Sequence, residues 1–332
     1  MTTDLQYMRR ALTLAARGAG HVSPNPMVGA VIVSSDGRII GEGWHRKYGG
    51  PHAEVNAFRS VKSSDTSLLK DSTLYVTLEP CSHYGKTPPC SKLVIEKGIK
   101  RVVIGMRDPF REVSGRGINM LKEAGIEVIE NVLEEECREI NKRFLTAHTL
   151  GRPWILLKWA QSSDNFISAA DEDCNSLPVK LSSPVTLVEM HKERTMCDAI
   201  LVGTNTVISD NPALTSRLWP GNQPRPILFS STSFPADSTI QTRNPIILDR
   251  ELSLRENLSY LYNHHNITSL MVEGGRKILD LFIHEKLFDE IRVEYSAKKI
   301  VRGIPAPDLP DNLSVETARK VGQNSIKTLK NL

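Results

Sequence analysis

Short apolar runs alternate with helical patterns on both sides of a single break, Thr149-Leu150-Gly151-Arg152-Pro153, and no other feature constrains the fold as strongly. Upstream, Leu5, Met8, Leu12 and Ala15 recur at helical spacing, and Gly18 and Gly20 close that helix. Strands are expected over 27–34 and 38–44, joined by the hairpin signal Asp36-Gly37. A helix over 53–61, a strand over 73–78 and a helix opened by Pro88 and Pro89 and running to Glu96 follow. A strand over 101–106, a helix over 118–123, a short strand over 127–129 and a charged helix over 133–147 complete this half. Downstream, strands are expected over 154–159, 199–203, 227–229, 245–248, 270–272 and 290–295. Helices are expected over 185–194 and from the Glu273-Gly274-Gly275 turn to Glu285. The stretches 171–179 and 217–226 read as long polar loops, and the segment after Ala297 carries little pattern. Alternating strands and helices imply layered α/β domains. A chain of 332 residues suits about two of them, placed here at 1–147 and 152–332.

Apolar residues at 40% and charged residues at 24% exclude a disordered chain, a collagen or a coiled coil. No apolar run is long enough to span a bilayer. The first twelve residues carry Asp4, Arg9 and Arg10 without an apolar stretch, so no signal peptide is read there. Five cysteines are too few, and odd in number, for a secreted disulfide framework. A cytoplasmic protein is therefore expected. The net charge of +4 lies in the first half and is too small and dispersed for a nucleic-acid surface. It suits a small anionic substrate, or simply a solvated mixed surface.

The most informative residues are His52-Ala53-Glu54, Pro80-Cys81 and Cys90. One imidazole and two thiolates form a natural donor set for Zn²⁺, and three protein ligands leave the fourth tetrahedral position open, the catalytic pattern. Glu54, two residues after His52, can stand beside that position without ligating and move a proton from water to a leaving amine. Taken singly, a His-x-Glu pair is an ordinary surface-helix feature and two cysteines are ordinary buried thiols. In this order, with His52 opening a helix and Cys90 following two prolines, they point to a zinc deaminase. Zinc deaminases commonly place two residues between the cysteines; here eight intervene, from Ser82 to Pro89. That polar insert carries His83 and Lys86, which read either as contacts to a substrate phosphate or as parts of a plain loop.

The strings Ser23-Pro24-Asn25-Pro26-Met27-Val28-Gly29, Gly50-Pro51-His52-Ala53-Glu54-Val55-Asn56-Ala57 and 77–90 resemble the bifunctional deaminase/reductase family of riboflavin biosynthesis, which the long cysteine loop marks out among zinc deaminases. Asp108-Pro109 and Gly115-Arg116-Gly117 are similar to that family too, with Phe110 where an asparagine is usual. The resemblance implies a cytidine-deaminase-like α/β/α layer domain. It makes His52, Cys81 and Cys90 the zinc ligands, Glu54 the proton shuttle and Asn25 a contact for the pyrimidine ring.

From its residues alone, the second half is less specific. Glu273-Gly274-Gly275 follows a strand and opens a helix, which suits a phosphate at the helix N-terminus and equally suits a tight turn. The Gly-x-Gly-x-x-Gly dinucleotide fingerprint is absent. The strings Lys158-Trp159-Ala160-Gln161-Ser162-Ser163-Asp164, 198–206, Asp210-Asn211-Pro212-Ala213-Leu214-Thr215 with Arg217, and Glu273-Gly274-Gly275 resemble the dihydrofolate-reductase-like α/β domain of the same family. The resemblance implies NADPH contacts at Ala160, Thr206, Asp210, Gly275 and Arg276. It implies substrate contacts at Arg194, Leu214, Arg217 and Glu273, and arginines are suited to a ribose phosphate. Asn165-Phe166 stands where the family continues with Gly-Lys or Gly-Arg, and Lys180 stands near the place of its tryptophan. Asn tolerates a left-handed backbone, so the turn after Asp164 is expected to form. Cys137, Cys174 and Cys197 match no ligand pattern and read as structural.

The resemblance thus implies a small-molecule enzyme with zinc and NADPH, acting on a phosphoribosyl pyrimidine, with no nucleic-acid or membrane partner and with homo-oligomers as in the family. Three alternatives stay open on the sequence. One is a deaminase whose second domain has lost reduction, motivated by Lys180 and Phe166. The others are a deaminase of a nucleoside or tRNA base, and a non-catalytic zinc-binding protein with His83 as fourth ligand.

Overall fold

The run Gly29–Val33 is apolar throughout because helices cover both faces of the strand it forms, β1. The computed structural model describes residues 2–84, 88–109, 114–173, 176–230, 235 and 237–331. It divides into two units, Met1–Leu150 and Gly151–Leu332.

In the first unit, helix α1 (Thr2–Ala15) precedes the hairpin of β1 and β2 (Ile39–Trp44). Helix α2 (Ala53–Ser60), β3 (Thr73–Leu78), α3 (Cys90–Glu96), β4 (Arg101–Met106), α4 (Arg116–Glu123) and β5 (Glu127–Ile129) follow. The sheet order is β2-β1-β3-β4-β5, with β1 antiparallel to both neighbours and β3, β4 and β5 parallel. Ala30, Ile32, Leu74 and Ile104 face a core shared with α2, α3 and α4. Val31, Val33, Tyr75 and Val103 face a second core with Met8, Ala11 and Leu14 of α1. The layers are therefore α/β/α.

The charged helix expected over 133–147 is two helices, α5 (Glu134–Ile140) and α6 (Lys142–Leu150). The break falls at Asn141, whose side chain accepts from the Met27 N–H at 2.8 Å and donates to the Met27 carbonyl at 3.0 Å. This distant backbone demand overrides local helix continuation, and nothing in the local pattern announces it.

The second unit begins with β6 (Trp154–Gln161), then β7 (Phe166–Ala170) and β8 (Ser176–Leu177). Next come α7 (Pro184–Thr195), β9 (Ala199–Gly203), α8 (Thr204–Asp210), β10 (Arg225–Phe229) and β11 (Ile246–Ile247). The remainder is α9 (Leu254–His265), β12 (Ser269–Val272), α10 (Arg276–His284), β13 (Glu290–Tyr295), β14 (Gly303–Pro305), β15 (Leu313–Val321) and β16 (Asn324–Asn331). The main sheet runs β11-β10-β9-β12-β6-β13-β16-β15, and β14-β7-β8 form a small second sheet. The main sheet is parallel from β11 to β13, and the β15–β16 hairpin adds antiparallel to β13. Leu258 and Leu261 of α9 and Leu279 and Phe282 of α10 seal one face. Val207 and Leu214 lie in the core on the other face.

Further features depart from the sequence reading: β7 and α8 were not expected, and β8 forms inside the stretch 171–179 read as a polar loop. Helix α9 was not expected, although Ser253 and Glu256 form a reciprocal capping box at its start. The weakly patterned C-terminal segment forms β14 and the β15–β16 hairpin. Strand β15 is mostly exposed and polar, so its sequence lacks the alternation that marks a half-buried strand. The turn after Asp164 forms as expected, with Asn165 left-handed at φ 65°. Among the described residues, no helix is long and apolar enough to cross a membrane.

Candidate active site

Helix α2 packs closely on β2 because Gly43 leaves room for it; a Cβ there would overlap the backbone nitrogen of Ala57. This approach sets the start of α2, with His52 as the extended residue just before it and Glu54 in its first turn. Strand β3 ends at Leu78, and Glu79-Pro80 carry the chain to Cys81. Cys90 is the first residue of α3. Ser91 donates to the Cys81 carbonyl through its N–H at 3.2 Å and its hydroxyl at 3.0 Å, and the Cys90 N–H donates to the Cys81 sulfur at 3.2 Å. The start of α3 is thus fastened to the metal-ligand turn.

His52 Nδ1 lies 3.6 Å from Cys81 Sγ and 3.3 Å from Cys90 Sγ, and the three ligand atoms all lie within 4.8 Å of one another. Ordinary Zn–N and Zn–S bonds in a tetrahedron place nitrogen and sulfur about 3.5 Å apart. The donors, one borderline and two soft, therefore fit zinc in chemistry and in spacing. The hydrogen bond from Cys90, together with His52, pulls the Cys81 thiol down to about 4. The same bond and burial push Cys90 up. Cys81, with Glu54 nearby, raises the His52 imidazole to about 9. These shifts favour the charged forms of Cys81 and His52, and metal binding takes the place of their protons. Glu54 is only 3% exposed; burial and the Cys81 charge push its carboxyl up to about 7. A dication in the triad would act in the opposite direction.

Asn25 reaches this site through a residue that carries no sequence signal. His45 is buried, its ring lies edge-on to His52 with centroids 5.7 Å apart, and its Nε2 is 3.2 Å from Asn25 Nδ2. Burial holds the His45 imidazole below its usual range. Glu79 falls within the 77–90 string but has no sequence signal of its own. Its buried carboxylate accepts from the backbone N–H groups of Asp108, Gly115, Gly117 and Ile118 at 3.0 to 3.4 Å, fastening the start of α4 beside the Cys81 turn. His83 is exposed. Lys86, Phe110 and Cys174 lie outside the described residues.

In the second unit two pairs of the residues expected at a reductase site meet, Arg194 with Glu273 and Thr206 with Gly275. Arg194 donates from Nε and Nη2 to the two Glu273 oxygens at 2.8 and 2.6 Å, and from Nη1 to the Thr215 carbonyl at 2.7 Å. Burial would raise the Glu273 carboxyl, and Arg194 outweighs it to hold that carboxyl low. Leu214 is buried with φ 49°, next to the loop that carries exposed Arg217. Arg243 fastens that loop by donating to the carbonyls of Ala213, Leu214 and Pro224. His191 Nδ1 of α7 accepts from the Leu218 N–H of that loop at 3.5 Å. The Gly275 N–H donates to Thr206 Oγ1 at 3.2 Å, which unites two of the expected NADPH contacts. Ala160 lies on β6, and Asp210 is exposed at the end of α8. Arg276 is turned to Asp280 and the Ala306 carbonyl, so its guanidinium is engaged within the unit.

Lys158 has no sequence signal of its own, yet it stands among charged residues. It pairs in register with Arg292 of β13; burial lowers its pKa, and Glu273 and Glu294 oppose that shift. Lys180 is exposed, and its carbonyl accepts from Lys298 Nζ at 2.6 Å.

Fold and site together define a zinc-binding deaminase of the cytidine-deaminase kind joined to a reductase domain. Residues 1–106 match the cytidine and deoxycytidylate deaminase zinc-binding region, and residues 153–331 match the RibD C-terminal domain. The riboflavin biosynthesis protein RibD of Aquifex aeolicus is 39% identical, over 98% of this chain and 96% of its own length. That of Bacillus amyloliquefaciens is 38% identical over 91% and 86%. Among solved structures, the diaminohydroxyphosphoribosylaminopyrimidine deaminase/5-amino-6-(5-phosphoribosylamino)uracil reductase of Thermotoga maritima aligns over 100% of this chain and 99% of its own. Its TM-score is 0.87, at 36% identity. The chain belongs to the RibD family of bifunctional riboflavin-biosynthesis deaminase/reductases.

Proposed function

We propose that this chain catalyses two consecutive steps of riboflavin biosynthesis. The first is hydrolytic deamination of 2,5-diamino-6-(5-phosphoribosylamino)pyrimidin-4-one. The second is NADPH-dependent reduction of the ribosyl group of 5-amino-6-(5-phosphoribosylamino)uracil to ribityl. The observation that carries the reading is the convergence of His52, Cys81 and Cys90 with buried Glu54 in a chain whose second unit matches the family's C-terminal domain.

His52, Cys81 and Cys90 would hold the zinc. When bound, zinc supplies the Lewis acidity that makes water a nucleophile at neutral pH. Glu54 moves the proton: its buried carboxylate takes one from water and returns one to the amine that leaves as ammonia. Asn25 contacts the pyrimidine ring, and His83 and Lys86 of the cysteine loop are assigned to the phosphoribosyl end.

The deaminase work falls to 1–147 and the reductase work to 152–332. When bound, NADPH supplies the hydride. Ala160, Thr206, Asp210, Gly275 and Arg276 would bind it, with the Thr206–Gly275 hydrogen bond shaping the turn. Arg194, Leu214, Arg217 and Glu273 form the substrate side, where Arg194 keeps Glu273 ionised and oriented and exposed Arg217 is available to a phosphate. The small positive charge suits a phosphorylated small molecule rather than nucleic acid or a membrane. A cytoplasmic location suits thiolate ligands that must stay reduced, and homo-oligomers are carried over from the family.

The test is ammonia release and NADPH oxidation followed together on zinc-loaded protein given the diaminopyrimidine ribosyl phosphate. Release with matching NADPH consumption supports both steps. Release without it would reduce the second unit to a non-reducing domain.

A further inference from the structure

Two hydrogen bonds around His45 settle which end of the Asn25 amide is free. His45 Nδ1 lies 3.1 Å from the Pro51 carbonyl oxygen, which can only accept. Asn56 Nδ2 donates to the same carbonyl at 3.2 Å, so that oxygen meets donors from two side chains. His45 Nδ1 must therefore carry a proton. The group 3.2 Å from Nε2 is the Asn25 amide nitrogen, which can only donate, so Nε2 is the accepting nitrogen of the ring. The Asn25 carbonyl oxygen is thereby turned away from His45.

We infer that His45 is a positioning residue whose tautomer, set by the Pro51 carbonyl, makes Asn25 offer an acceptor to the pyrimidine. This rests on the deaminase reading given above. It goes beyond that reading by naming the chemistry of the recognised group, an N–H donor on the ring or its amine. A ring edge offering only acceptors at that point is rejected, because it would face the Asn25 oxygen. The backbone link gives the device its rigidity. Pro51 immediately precedes zinc ligand His52, and the His45 ring packs edge-on against His52, so the orientation of Asn25 is tied to the metal site.

The histidine can be divided into its two halves by amide replacement. His45→Asn keeps a donor near the Nδ1 position and loses the group that holds Asn25. His45→Gln places an amide oxygen near the Nε2 position and keeps the acceptor. On the zinc-loaded full chain, H45N is expected to raise KM for deamination about tenfold or more, with kcat and zinc content little changed, and H45Q to recover most of that loss. Equal KM values for the two variants, or a loss confined to kcat, would overturn the inference. Should H45N fail to fold or to hold zinc, Asn25→Asp decides. It sets a carboxylate against the bare nitrogen, so KM should rise sharply. Combining N25D with H45Q, whose amide can turn to donate, should recover part of the loss; no recovery counts against the inference. Nitrogen-15 NMR of the His45 imidazole reads the tautomer independently of activity. A bare Nε2 is expected, and a protonated Nε2 overturns the inference even if the wild type deaminates. Failure of the wild type to release ammonia, with Nε2 bare, would instead refute the assigned substrate.

Discussion

Arg194 and Glu273 form a buried ion pair, with side chains only 8% and 11% exposed and Nη2 2.6 Å from Oε2. The pair joins the end of α7 to the turn after β12, and the third guanidinium donor binds the loop at Thr215. Removing one partner leaves a buried charge uncompensated, which typically costs about 3–5 kcal/mol. Arg194→Met is therefore expected to destabilise the second unit by an amount of that order while the first unit keeps its zinc. Urea unfolding followed by a probe in each unit would show it, and a change within about 0.5 kcal/mol would mean the pair is not coupled to folding.

Glu54→Gln keeps the shape of the buried side chain and removes its capacity to take a proton. Zinc should stay bound at one equivalent, and deamination should fall about 10²–10⁴-fold. NADPH oxidation with the deaminated product supplied directly should be unaffected. Loss of zinc in this variant would show that Glu54 supports the metal and would remove the case for a shuttle.

With the deaminase work proposed for the first unit and the reductase work for the second, metal removal should divide them. A chelator is expected to abolish ammonia release and leave reduction of the supplied uracil intermediate, with Zn²⁺ restoring the first activity. Cys90→Ser should mimic the chelator. It also weakens the hold on the Cys81 turn only slightly, because that hold runs through the Cys90 backbone N–H. A fall in both activities on chelation would place a metal requirement in the second unit.

His191 gives the second unit a pH dependence. Burial, followed by the charges of Arg194 and Arg217, lowers its imidazole to about 4, against about 6.5 in an unfolded chain. Between these values the unfolded state binds the extra proton and the folded state does not, so stability rises with pH. The contribution is fully present above about pH 6.5 and is lost as pH falls toward about 4, with a limiting slope of about 1.4 kcal/mol per unit. His191→Asn should flatten the difference in unfolding free energy of this unit between pH 7 and pH 5. An unchanged difference would place the pH sensitivity elsewhere.

The metal site is legible in the sequence because its chemistry limits the residue types. Few combinations other than His52, Cys81 and Cys90 with a nearby carboxylate suit a three-ligand zinc site, and prolines and helix starts set them in order along the chain. The layered α/β architecture is legible because period-2 and period-3.6 patterns survive in buried strands and amphipathic helices. His45 is not legible, and Glu79 and Lys158 are legible only as members of the strings that carry the resemblance, since what each does depends on distant groups that folding brings to it. Glu79 acquires its role only when four N–H groups of the 108–118 segment converge on its carboxylate.

By itself, then, the sequence determined which side chains could form a metal-and-carboxylate site, His52, Cys81, Cys90 and Glu54, and the two layered α/β domains, because these follow from side-chain identity and local periodicity. Only the tertiary structure decided how those groups are aimed. It broke the 133–147 helix to satisfy the Met27 backbone, and it paired polar β15 to the sheet through β16. It also joined Arg194 to Glu273 and set the Asn25 amide through His45. The reason is physical. Local sequence sets propensity and donor type, while a buried polar group takes its partners from wherever folding brings them, often a hundred or more residues away.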